Sequence, residues 1–97
     1  YEVAVKWLLD KGANPNAEAK DGSTPLMFMA RKGDVNSSKL LVERGANIHA
    51  VDEYEATALH HACSSSEPVI VDMLLANGAN PNVRNSHQRT PLILAAM

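Results

Sequence analysis

One tripeptide, Gly-Ala-Asn, stands at Gly12-Ala13-Asn14, Gly45-Ala46-Asn47 and Gly78-Ala79-Asn80, each copy 33 residues from the last. The same step carries Thr24 and Leu26 onto Thr57 and Leu59, then onto Thr90 and Leu92, and it carries Leu8 onto Leu41 and Leu74. No residue is inserted or lost between copies. A fixed period of this length is the signature of a stacked array, in which each unit buries its apolar face only against its neighbours. The low aromatic content, 4% against 45% apolar residues overall, agrees with thin interior layers of Leu, Val, Ile, Ala and Met. Function in such an array belongs to a surface rather than to a pocket.

A net charge of −2 gives no overall attraction to phosphate backbones or anionic lipid, so neither nucleic acid nor membrane is an expected partner. The lone Cys63 cannot form an internal disulfide and is compatible with a reducing compartment, hence an intracellular, cytoplasmic expectation. None of these 97 residues reads as a signal peptide or as an apolar run of membrane-spanning length.

Within a unit the pattern reads helix, tight turn, helix, extended loop. Thr24-Pro25 is a helix start, because the threonine hydroxyl accepts an orphan N–H and proline at the first helical position sacrifices no hydrogen bond. Thr90-Pro91 repeats it, Thr57-Ala58 keeps the cap alone, and Gly33 is placed to close the helix that Pro25 opens. The second helix carries Val3, Val5, Trp7, Leu8 and Leu9 in its first copy and ends at Gly12, Gly45 and Gly78. Segments such as Asn14 to Ser23 then read as projecting turns. The frame divides the chain into a partial repeat at 1–18, repeats at 19–51 and 52–84, and a partial repeat at 85–97, as expected for an excerpt of a longer array. Trp7 shares its position with Leu40 and Met73, and should be more exposed than either because no earlier unit covers it.

Thr24-Pro25-Leu26 and Thr90-Pro91-Leu92, with the exits Gly12-Ala13-Asn14-Pro15-Asn16 and Gly78-Ala79-Asn80-Pro81-Asn82, resemble the ankyrin repeat family over the whole chain. The resemblance implies an all-α solenoid of stacked helix-turn-helix units with short β-hairpin-like loops. Of the family's histidine only His60 remains; Met27 and Ile93 replace it, so inter-loop hydrogen bonding should be lost in those two units. Ser66 stands where Gly33 stands one unit earlier, and Ala58 stands where the family has proline, so the unit from Asp52 to Arg84 should be the least regular.

The resemblance further implies a concave surface of loop tips and first helices that binds a partner protein, the chain itself being a monomer and not an enzyme. The family's contact positions fall on Glu18, Lys20, Asp21, Ser23, Arg31 and Lys32 in one unit. In the next they fall on Val51, Glu53, Tyr54, Ala56, Ser64 and Ser65, and in the last on Arg84, Ser86, His87 and Arg89. Tyr54, flanked by Glu53 and Glu55, is the strongest candidate, a large amphipathic side chain with no evident core role. The resemblance also marks Asn16 and Asn82 for possible asparagine hydroxylation, against the simpler reading that they brace their turns.

His60, His61 and Cys63 are the one cluster with nucleophilic or metal-ligating side chains, and His60 and Cys63 are close enough on a helix to meet. Cys63, however, occupies the small buried position of Ala30 and Ala96, and no third orienting group or zinc-like ligand spacing accompanies it. No catalytic residue, metal ligand or cofactor site is therefore assigned. The expected role is that of a protein-interaction module, with a spacer or scaffold segment of a larger multidomain protein as the rival.

Overall fold

The computed structural model describes residues 1–97, which form six helices: α1 (Glu2–Asp10), α2 (Pro25–Lys32), α3 (Val35–Glu43), α4 (Ala58–Ser65), α5 (Pro68–Ala76) and α6 (Pro91–Ala96). Each first helix starts as its threonine dictates. The hydroxyl oxygens of Thr24, Thr57 and Thr90 accept the N–H of Met27, His60 and Ile93 at 3.3, 3.4 and 3.3 Å. Each second helix ends the same way three times. Gly12, Gly45 and Gly78 adopt φ of +93°, +94° and +94°, and the next N–H returns to Leu8, Leu41 or Leu74 to close the last turn.

The helices make two layers. First helices α2, α4 and α6 stack side by side, second helices α1, α3 and α5 stack behind them, and α2 with α3, and α4 with α5, form antiparallel pairs. The core between layers is built from Leu26, Leu41, Leu59, Ile70 and Leu74 with the small Ala30 and Ala62, all essentially inaccessible. Helices of six to nine residues are too short to persist alone, so this inter-unit packing holds them. At the α1 edge the pattern changes: Leu8 is 61% exposed where its equivalents Leu41 and Leu74 are buried. Trp7 is 64% exposed while Leu40 and Met73 are half-buried, as the repeat frame requires.

The unit containing Ser66 keeps its neighbour's helix lengths, and the irregularity expected of it is confined to the closure of α4. α4 and α2 both have eight residues, and α5 and α3 both have nine. Ser66 adopts the left-handed conformation itself, φ 58°, in place of Gly33 at φ 73°. Its N–H still closes the helix onto Cys63, but the second closing bond of α2, from the Asp34 N–H to the Met29 carbonyl, has no counterpart in α4.

Three projecting tips connect the units, each a hydrogen-bonded turn and none a regular strand. Ala19 bonds Ser23, Asp52 bonds Ala56 and Asn85 bonds Arg89, each N–H to carbonyl. Adjacent tips are joined by backbone alone: the N–H of Glu53 reaches the carbonyl of Asp21 at 2.8 Å, and that of Ser86 reaches Tyr54 at 2.7 Å.

Candidate functional site

The tips and the first helices share one face, and two adjoining hollows of about 220 and 250 Å³ lie along it. Arg31, Asp52, Tyr54 and His61 line both. Phe28 and Lys32 complete the first, and Ser64, His87 and Leu94 border the second. Tyr54 is 56% exposed and Phe28 48%, so two aromatic rings stand at the surface beside the hollows.

A buried polar chain underlies this face. Asp52 Oδ1 accepts the N–H of Tyr54 at 2.9 Å and of Ala56 at 3.1 Å, which holds the tip, while its Oδ2 lies 3.0 Å from His61 Nε2. Arg31 reaches His61 Nδ1 with both Nε (3.3 Å) and Nη2 (2.9 Å). Because a guanidinium only donates, Nδ1 must accept, and the ring proton therefore sits on Nε2 and is donated to Asp52. The histidine is neutral, so its contact with Asp52 is a hydrogen bond rather than an ion pair. Burial pushes the His61 imidazole below its ordinary value of 6.5; the Asp52 hydrogen bond opposes that push and the Arg31 charge reinforces it.

His60 performs a separate task. Its Nδ1 accepts the Thr57 N–H at 3.1 Å and its Nε2 donates to the Arg89 carbonyl at 3.0 Å, tying α4 to the next tip. Met27 offers only a sulfur to the Thr24 N–H at 3.5 Å and makes no such bridge, in accord with the loss expected from its identity. With both ring nitrogens of His60 engaged, nothing is arranged to take a proton from Cys63. That thiol is buried among apolar side chains, and burial raises its pKa. The cluster is part of the packing.

Among the residues singled out from sequence, Lys20, Asp21, Arg31, Lys32, Glu53, Tyr54, Ser64, Ser86, His87 and Arg89 are exposed on the tips and first helices. Ser23 is not: it is buried under its own turn, its N–H given to Asp21 Oδ1, and Ala56 is buried likewise. Ser65 is half-buried and turns its hydroxyl inward to the carbonyls of Ala30 and Ala62, both at 2.9 Å, which braces α4 against α2. Asn16 bridges units, donating to the Gly45 carbonyl at 3.1 Å and accepting the Asn47 N–H at 2.6 Å; Asn82 is exposed. Sequence reasoning missed Phe28 and Asp52, and weighed His61 only as a neighbour of Cys63. The available signal was positional: Asp52 stands where Asn85 stands one unit later, and both side chains brace their tips with one oxygen.

The family profile described as ankyrin repeats, three copies, matches residues 1–85. The chain is 39% identical over 97 residues to the ankyrin repeat, SAM and basic leucine zipper domain-containing protein 1 of Echinops telfairi, covering 95% of this chain and 20% of that protein. It is 38% identical over 94 residues to the probable E3 ubiquitin-protein ligase XBOS34 of Oryza sativa subsp. japonica, covering 94% of this chain and 18% of the ligase. It is 34% identical over 95 residues to the human neurogenic locus notch homolog protein 1, covering 98% of this chain and 4% of that protein. The chain thus spans about a fifth or less of the length of these relatives. Ankyrin repeats are generally protein–protein interaction modules rather than enzymes. By its helical layers, its period and these matches, the chain belongs to the ankyrin repeat family.

Proposed function

We propose that the chain binds a partner protein through the face formed by its tips and first helices. Tyr54 carries this reading. Its ring is exposed between two hollows, and its backbone alone secures the tip, accepting from Ser86 and donating to Asp52. Arg31 and Lys32 supply charge from α2, and Lys20, Asp21, Glu53, Ser86, His87 and Arg89 supply the polar rim. Tyr54→Ala should weaken partner binding by about 1–2 kcal/mol, as truncation of an interface aromatic does. Its melting temperature should hardly change, because both backbone bonds survive. Titration calorimetry and circular dichroism on the same variant test this; unchanged affinity with a collapsed melting temperature would make Tyr54 structural.

The length comparison favours a second reading, a spacer or scaffold segment of a larger protein whose activity lies elsewhere. Replacing the exposed tip side chains with alanine in the full-length protein separates the two readings. A pure spacer would tolerate the change, and a binding module would not.

A further inference from the structure

Arg31 is held by one edge only. Its Nε and Nη2 are the two donors that converge on His61, which leaves the opposite edge, Nη1 with the second Nη2 hydrogen, without a protein acceptor in a side chain that lines the hollow. Two carboxylates line the hollow, and neither lies within ion-pair distance of Arg31, although hydrogen bonds from Ser23 and, to a lesser degree, the Arg31 charge lower the pKa of the exposed Asp21. Asp52 spends both oxygens on Tyr54, Ala56 and His61, and Asp21 accepts from Ser23. No carboxylate lies within ion-pair distance of Arg31 or Lys32; the Lys32 ammonium instead sits 4.7 Å from the centre of the Tyr1 ring. The hollow therefore holds a guanidinium with one unsatisfied edge beside an ammonium that has no carboxylate partner, walled by Phe28 and Tyr54 and bordered by Asp21 and Asp52.

We infer that this hollow is a carboxylate subsite: it takes the side chain of an aspartate or glutamate in an extended partner segment, held by two hydrogen bonds to the free edge of Arg31. The inference rests on the partner-binding reading above and specifies its chemistry. A guanidinium whose second edge is already fixed loses little freedom when it grips a carboxylate, and the planar fork matches two oxygens where an ammonium would not. The apolar part of the acidic side chain, or its neighbour in the segment, then lies against the exposed rings.

The test is selection of a displayed library of random linear peptides against the 97-residue chain and against Arg31→Gln, which removes the charge but retains a donor for His61. Wild-type selection should converge on peptides with an acid at one fixed position. Changing that acid to its amide in a synthetic peptide should cost about tenfold in affinity for the wild type and almost nothing for Arg31→Gln. Arg31→Lys should fall between, because charge remains and the fork is lost. Peptides that shift the amide resonances of the tips but show no acidic preference, or an acidic preference that survives in Arg31→Gln, would overturn the subsite while leaving the binding face intact. If no selected peptide maps to this face, both readings fail. Spectra of Arg31→Gln matching the wild type outside the hollow establish that the variant is folded.

Discussion

Ser38 lies fully buried on α3 with its hydroxyl oxygen unpartnered. Its repeat equivalents are Val5 and Val71, so a polar atom occupies a position the stack treats as apolar. Serine gives no sequence signal of burial, so an apolar pattern passes over Ser37 and Ser38, both of them fully buried on this helix. Removing a buried hydroxyl that makes no hydrogen bond lifts a desolvation penalty. Ser38→Ala should therefore stabilise the chain by about 1 kcal/mol, read as a higher urea midpoint with an unchanged slope. The capping threonines were legible for the opposite reason: each acts on its own helix three residues away, and residue type alone decides the bond. The Arg31–His61–Asp52 chain joins residues 30 and 9 apart from α2, α4 and a tip, and no local pattern announces it.

At the scale of the element, left-handed residues punctuate the repeat at fixed places. Gly33 and Ser66 close the first helices, and Gly22, Glu55 and Gln88 occupy one shared position in the three tips, with φ of 82°, 58° and 62°. The sequence marked the helix-closing position through Gly33, and Ser66 was read as a defect of the whole unit. α4 nevertheless keeps the eight residues of α2, and one closing hydrogen bond is what it loses. The local cost remains. Ser66→Gly should raise stability by about 0.5–1 kcal/mol, the left-handed penalty relieved less the added freedom of the unfolded chain, and chemical denaturation measures it. The reverse change, Gly33→Ser, should lower stability by a similar amount, since a side chain there meets nothing closer than Glu67 Cβ at 3.9 Å and only the backbone resists.

The whole molecule measures 38 × 27 × 21 Å, and its stability is shared between units, so a titration at their junction is felt globally. His61 couples α2 to α4 and to the tip that precedes α4 while neutral, and its folded pKa lies below the ordinary 6.5. The unfolded chain therefore binds a proton at a pH where the fold does not. Stability from this group is complete above about 6.5 and declines as pH falls through that value toward the folded pKa. Unfolding free energies measured between about pH 5 and 8 should rise with pH, and His61→Gln should flatten that rise on its acidic side. Cys63 supplies a second global measure. Its buried thiol should react with a thiol reagent slowly in the native protein and quickly once denatured, since exposure then depends on opening of the stack. The array itself was legible because a repeat multiplies each weak signal by the number of units. The accessible face was legible only through family resemblance, and there Ser23, Ala56 and Ser65 turned inward.

The tips bond to one another through main-chain groups alone, Glu53 to Asp21 and Ser86 to Tyr54. Continuity along the strip is thus indifferent to which side chains it displays. The exposed letters of the face, Tyr54 and Glu53 among them, can be rewritten without re-tuning the scaffold beneath. Asp52, which holds its tip and His61, and Gly22, where a Cβ would meet Asp52 Cα at 3.3 Å, belong instead to the scaffold. Selection acting on recognition meets little resistance here from selection acting on folding.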